Sequence, residues 1–180
     1  MLISVLIYFL LAFQVFLLFL LVILISIIGY SVMSVPWVPT LAPLGRLMFK
    51  LAELKPGETV VDFGCGDASL LTLAATEFGA KGIGYEHEPF LRQYARWRTR
   101  RLKVADRVEV RGDNFFKAKL PPADVIATYL FAETQAKLEP RLREAYPKGT
   151  RVVTRTFPYP TLELIKKEVI GKETFYLYRI

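Results

Sequence analysis

Between Met1 and Gly45 the chain has no lysine, arginine, aspartate, glutamate or histidine, although its 180 residues hold 24 Lys and Arg and 17 Asp and Glu. The formal charge of +7 is therefore carried entirely by the remainder. That asymmetry excludes one uniformly water-exposed domain and divides the chain into two objects. Cysteine occurs once, at Cys65, which excludes an intramolecular disulfide and fits a reducing compartment. Histidine also occurs once, at His87, and no metal site is expected. Internal repeats and low-complexity tracts are lacking as well.

What the N-terminal object has instead is an apolar run from Leu2 to Ile28, LISVLIYFLLAFQVFLLFLLVILISII, interrupted near its middle only by Gln14. As a helix it spans about 40 Å, against a hydrocarbon core of about 30 Å. A cleaved signal peptide fits poorly: no basic segment precedes the run, it is too long, and GYSVMSVPWVP offers no small-residue cleavage site. The expectation is a single-pass anchor over residues 1–30, with the lipid bilayer as a partner. Arg46 and Lys50 follow the span, which favours a cytoplasmic C-terminal part, or the matrix side in a eukaryote.

Residues 31–55 read as a linker, punctuated by Pro36, Pro39 and Pro43, and a lead-in helix, LGRLMFKLAEL, closed by Lys55-Pro56-Gly57. From residue 56 to 180 strand and helix signals alternate. Strands are predicted over 59–63, 81–85, 107–110, 124–130 and 151–156, with helices over 68–78, 88–104 and 133–146. A hairpin over 167–180 turns at Gly171-Lys172. That rhythm predicts an α/β domain with a mostly parallel sheet and an antiparallel C-terminal hairpin, its ligand beyond the carboxyl ends of the strands.

The loop VVDFGCGDAS sits at that edge. Its Gly-x-Gly suggests a dinucleotide fingerprint, but Ser69 stands at the third glycine and Asp62 and Asp67 would repel a pyrophosphate. Two carboxylates suit a cation. S-adenosylmethionine carries an α-ammonium and a sulfonium and has no phosphate. Glu86, ending the next strand, can accept both ribose hydroxyls, and Gly112-Asp113-Asn114 follows the third strand in position to recognise adenine.

With those residues in place the sequence resembles the class I S-adenosylmethionine-dependent methyltransferases. It is most similar to the membrane-anchored protein-lysine methyltransferases that modify the adenine nucleotide translocase and the ATP synthase c-subunit. The likeness runs from about Val35 onward, through PWVPT, LKPGETVVDFGCGDA, GIGYEHEPFL, RVEVRGDNF and RTFPYP. It implies a Rossmann-like class I methyltransferase sheet preceded by one transmembrane helix, with S-adenosyl-L-methionine as cofactor. By the same resemblance Asp62, Gly64 and Gly66 line the methionine part, Glu86 the ribose and Asp113 the adenine. Cys65, His87, Asn114 and Thr128 complete the expected cofactor shell, and Trp37, Thr40 and Tyr129 are the candidates on the acceptor side. Two departures stand out: Ala68 replaces the last glycine of the D-x-G-x-G-x-G loop, and Glu88 stands where the family has Asn.

Arg92, Arg96, Arg100 and Lys103 share a helical face that reads as solvated or as facing anionic lipid or an acidic partner, and Trp97 is expected against the sheet or helix rim. No nucleic-acid partner is expected, because that face lacks an evident stacking platform and the Asn-Pro-Pro-Tyr motif of enzymes that methylate nucleic-acid amines is absent. The functional expectation is a methyltransferase acting on a lysine of a membrane protein. A lipid or quinone head group as acceptor, or a non-catalytic factor keeping the fold, are the alternatives.

Overall fold

The computed structural model describes residues 2–33 and 37–180. Pro36, which opens the PWVPT motif, and the neighbouring linker residues Ser34 and Val35 lie outside the described residues. The chain forms two compact units, Met1–Val38 and Pro39–Ile180.

The first unit is one helix, α1 (Leu2–Met33). Within it Leu6–Ser26 is a stretch of 21 residues with a mean hydropathy of 2.9. At 1.5 Å per residue that stretch covers about 31 Å, enough to cross a hydrocarbon core by length and composition. Ser26 donates its hydroxyl to the carbonyl of Val22 at 2.8 Å, so this polar group is satisfied inside the helix.

The second unit comprises α2 (Ala42–Leu51), β1 (Thr59–Phe63), α3 (Ser69–Glu77), β2 (Lys81–Tyr85), α4 (Pro89–Arg101), β3 (Val108–Arg111), β4 (Val125–Thr128), α5 (Ala132–Ala145), β5 (Arg151–Arg155), β6 (Glu163–Ile170) and β7 (Glu173–Arg179). The strands make one sheet in the order β3-β2-β1-β4-β5-β7-β6. β1 to β5 run parallel, and β7 is antiparallel to both β5 and β6. The chain builds outward from β1 through β2 to β3, then returns to lay β4 on the other side of β1. The strand order therefore reverses between β1 and β4, and the loops leaving those two strands flank a crevice at the sheet's carboxyl edge.

Alternation along the buried strands assigns side chains to two cores. Val60, Val125 and Val153 join Met48, Phe49, Leu71 and Ala74 beneath α2 and α3. Val61, Phe63, Ile126 and Val152 join Leu138 and Leu142 of α5 and a set of tyrosines, among them Tyr159 and Tyr178. Asp62 has the parity of Val60, and Thr128 that of Ile126.

The lead-in helix is part of the core. Met48 and Phe49 of α2 are fully buried, and α2 packs on α3 at Gly45, where a Cβ would stand 2.7 Å from Leu73. Arg151, at the start of β5, clasps the end of α2 by donating to the carbonyls of Ala52 (2.7 Å) and Glu53 (2.8 Å). It also donates to the Glu58 carboxylate at 2.6 Å.

β6 begins at Glu163, four residues before the hairpin anticipated from the sequence. It is an edge strand, exposed along almost its whole length, with an irregular register between Leu164 and Lys166. Without a buried face it carries no inside–outside alternation for a sequence pattern to reveal.

Arg151→Met removes these three bonds and leaves helix-end carbonyls unpaired. We expect it to cost about 2 kcal/mol in urea unfolding, with Glu58→Gln costing less.

Candidate functional site

β1 ends in a turn that needs left-handed backbone. Gly64 and Gly66 have φ of +83° and +56°, and Ala68 has φ of +58°. The amides of Gly64 and Cys65 both donate to the carbonyl of Tyr85, at 2.9 and 3.0 Å, tying the turn to the end of β2. Close approach continues at Gly84, where a Cβ would meet Cys65 Sγ at 2.5 Å and Leu71 Cδ1 at 2.7 Å.

Glu86 locks the two strand ends together. Its carboxylate accepts from Gly66 N–H at 3.0 Å and from Glu88 N–H at 2.8 Å. Glu88, the second departure from the family pattern, is the N-cap of α4, and its side chain accepts from Phe90 and Leu91 N–H. A longer acid thus performs the capping that Asn performs by the same chemistry.

Asp67 and Asp62 differ in their partners. Asp67 accepts from Ser69 N–H at 3.0 Å and pairs with Arg98 at 2.6 Å. It opens α3 and is neutralised from α4, a use the arginine-rich run did not announce. Asp62 is buried at the end of β1. Burial, with the negative charges of Glu86 and Asp67, pushes its carboxyl up to about 8. Burial, followed by the carboxylates of Asp62, Glu86 and Asp67, pushes the Cys65 thiol well above its usual range, which makes it a poor nucleophile.

The other positions follow the sheet's edge. Asp113 and Asn114, just beyond β3, are exposed, and Asn114 Oδ1 accepts from Phe116 N–H at 2.9 Å in a local turn. His87 is exposed and lends its carbonyl to Arg92 at 3.1 Å. Thr40 stands at the start of α3, its carbonyl accepting from Ser69 Oγ at 3.4 Å. Trp37 belongs to the first unit and is half exposed.

On the β4 side Thr128 faces inward. Gln135 of α5, fully buried, accepts through its amide oxygen from the hydroxyls of Thr154 (2.6 Å) and Thr128 (3.2 Å). Its amide nitrogen donates to the carbonyls of Phe157 (2.8 Å) and Pro158 (3.2 Å). Tyr159 donates to Thr128 Oγ1 at 3.3 Å. The RTFPYP segment is thus fixed against β4 by side-chain bonds, and Thr156 within it is held at φ +69°, a costly value for a β-branched residue. Tyr129, next to Thr128, carries the Arg155 guanidinium over its ring at 3.9 Å, and Arg155 also pairs with Glu173 at 3.1 Å.

One expectation about α4 needs correction. Arg92 donates to the carbonyls of Glu86 and His87 at 3.1 Å, and Arg96 donates to Val110 O at 2.8 Å. These arginines hold backbone rather than stand in solvent. Arg92 also fills the space over Gly112, where a Cβ would meet its Cζ at 2.9 Å. Trp97 is not packed on the sheet: it is half exposed and stacks on Tyr94.

The site therefore gathers three carboxylates between β1 and β2, one of them held protonated near neutrality for want of a positive partner. A phosphate would worsen that imbalance, whereas a ligand with an ammonium relieves it. Comparison with known proteins agrees. The family model of the ANTKMT methyltransferase domain matches residues 62–166, beginning at Asp62. The chain belongs to the ANTKMT methyltransferase domain family. It is a methyltransferase dependent on S-adenosylmethionine.

Relatives of this ANTKMT-family chain include a protein-lysine N-methyltransferase of Saccharolobus islandicus, 31% identical over 150 residues, which are 81% of this chain and 93% of the relative. The adenine nucleotide translocase lysine N-methyltransferase of Mus musculus is 30% identical over 71% of this chain, and the match spans 54% of the mouse protein. Among solved structures, an RNA methyltransferase from Salinibacter ruber in complex with S-adenosyl-L-homocysteine superposes with a TM-score of 0.77. It is 33% identical, over 79% of this chain and 94% of that one.

The first departure, Ala68, is fully buried in the apolar cluster beneath α2 and α3. Relief of left-handed strain in Ala68→Gly, about 1–2 kcal/mol, is offset by the lost methyl burial and added chain entropy. We expect Ala68→Gly to fall within about 1 kcal/mol of the parent in stability, and Ala68→Val to lose more than about 2 kcal/mol.

A pH dependence follows from Asp62. The free site keeps its proton up to about pH 8, and an ammonium bound against Asp62 would favour the carboxylate and release that proton. Titration calorimetry with S-adenosylhomocysteine should show affinity rising about tenfold from pH 6 to 7 and levelling near pH 8. In the unliganded fold the raised value means stability present at low pH is lost as pH rises toward 8. Asp62→Asn should flatten both profiles.

Proposed function

We propose that this chain is a membrane-tethered protein-lysine N-methyltransferase whose acceptor is a lysine near the membrane surface. The observation that carries the reading is the carboxylate cradle at the sheet's switch point, in a chain whose relatives include enzymes named for lysine methylation of a translocase and an ATP synthase subunit. In this reading α1 is the tether, and Arg46 and Lys50 beyond it favour a catalytic unit on the cytoplasmic side, or the matrix side in a eukaryote.

Asp62 would hold the ammonium of the cofactor's methionine part, with Gly64, Cys65 and Gly66 as a close backbone wall. Glu86 keeps the lone pairs left over from Gly66 and Glu88 for the ribose hydroxyls. His87, Asp113 and Asn114 border the adenine, and Thr128 props the β4 side. Thr40 and Tyr129 would bound the acceptor.

When bound, S-adenosylmethionine supplies a sulfonium methyl that an amine displaces. A lysine ammonium, with an ordinary pKa of about 10.4, must first lose its proton. Desolvation favours that loss, and the Arg155 guanidinium on Tyr129 disfavours a second cation at the same ring. Burial pushes the Tyr159 phenol up, so it stays protonated as a hydrogen-bond donor. The remaining acceleration is alignment and exclusion of water.

The test is incubation of the full chain with bacterial or organellar membranes and methyl-labelled cofactor, followed by mass spectrometry. We expect label on lysine of membrane proteins, reduced about 100-fold or more in Glu86→Ala. Label confined to the lipid extract or to RNA would sink the lysine assignment, and no label with no cofactor heat would favour a non-catalytic factor.

A further inference from the structure

α4 carries on its outer side a stripe for which the catalytic reading has no use. Ala95 and Thr99 face the sheet, whereas Phe90, Tyr94 and Trp97, spaced at i, i+4 and i+7, are 85%, 46% and 47% exposed. Arg101 continues the stripe with its Cζ 5.3 Å from the centre of the Trp97 ring, and Arg100 lies exposed beside it. From Pro89 to Arg101 the helix has no acidic residue. Leaving three large aromatics on one helical face in water forfeits several kcal/mol of burial, so a stripe of this kind marks a contact surface.

We propose that this face of α4 is a second membrane contact, lying on the headgroup layer of an anionic bilayer. The residue types select that occupant. Tyr and Trp have rings with one apolar body and one polar edge and prefer the membrane–water interface. Phe supplies a purely apolar wedge, and arginines beside it attract anionic headgroups at about 1 kcal/mol each. A single-stranded nucleic acid is a poorer match. Tyr94 and Trp97 stack on each other with centroids 5.5 Å apart, and Arg101 lies over Trp97, so the ring faces of Trp97 are less open to bases than those of an isolated aromatic. A second copy of the same face would set arginine against arginine.

The placement has a consequence for the reaction. α4 starts three residues after Glu86, so Phe90 lies at the same sheet edge as the cofactor cradle. A unit resting on α4 holds its site at the membrane surface, which a tether at α1 alone does not ensure. The inference rests on the membrane reading of α1 for its setting, and the experiment separates the two.

Trp37→Phe leaves Trp97 as the only tryptophan of the two in the chain. The full-length variant is reconstituted in vesicles of phosphatidylcholine and phosphatidylglycerol, with or without bromine on the acyl chains near the headgroups. We expect bromination to lower Trp97 emission by about half. Arg100→Glu with Arg101→Glu, or omission of phosphatidylglycerol, should recover most of the lost emission. A chain that floats with the vesicles but whose Trp97 is unquenched leaves the α1 reading standing and overturns this one. A chain that does not float overturns both. Quenching by added oligouridine but not by brominated lipid, or emission that follows protein-to-lipid ratio alone, also overturns it.

Discussion

Mutual repulsion among Asp62, Asp67 and Glu86 is the constraint around which the catalytic unit is arranged. Three carboxylates cannot share the end of two adjacent strands unless each finds a counter-charge, a set of N–H donors or a proton. Asp67 takes Arg98, Glu86 takes the amides of Gly66 and Glu88, and Asp62 keeps its proton. Each solution fixes a neighbouring element: Arg98 braces α4 against the start of α3, and Glu86 draws the β1 turn onto the end of β2. The third carboxyl, Asp62, is left without a counter-charge, which is the feature on which the proposed function rests.

Across the crevice the opposite strategy prevails. Thr128, Thr154, Gln135 and Tyr159 form a buried network of neutral groups whose members satisfy one another. Such a network has no charge to offer a ligand, and its work is to hold β4, α5 and the RTFPYP turn in register. One wall of the crevice is electrostatically incomplete and the other is complete.

Much of this could be read along the chain. The β1 and β2 bounds follow from short apolar runs closed by acids, and the choice against a phosphate follows from Asp62, Asp67 and the missing third glycine at Ser69. Local signals end where partners are distant in sequence. That Asp67 is spent on Arg98, that Arg92 and Arg96 cap backbone rather than face solvent, and that Gln135 is buried all depend on side chains meeting across elements. For Trp97 the choice between sheet and helix rim stays open in the sequence for a related reason: helical spacing puts Phe90, Tyr94 and Trp97 on one stripe, but spacing alone does not say whether the stripe faces in or out. The first four residues of β6, ahead of the hairpin read over 167–180, escaped because an edge strand exposed on both faces has no period.

The clasp of Arg151 on the end of α2 bears on how the chain is made. α2 lies early in the chain, yet its last carbonyls are capped from a strand about a hundred residues later, and Phe49 lies in a core that β5 helps to close. During synthesis the apolar face of α2 is therefore uncovered until β5 has emerged, and contacts of such long sequence separation form late. A chain already held at a membrane by its first segment would spend that interval with an exposed amphipathic helix beside lipid, which makes the bilayer itself a competitor for α2 during folding.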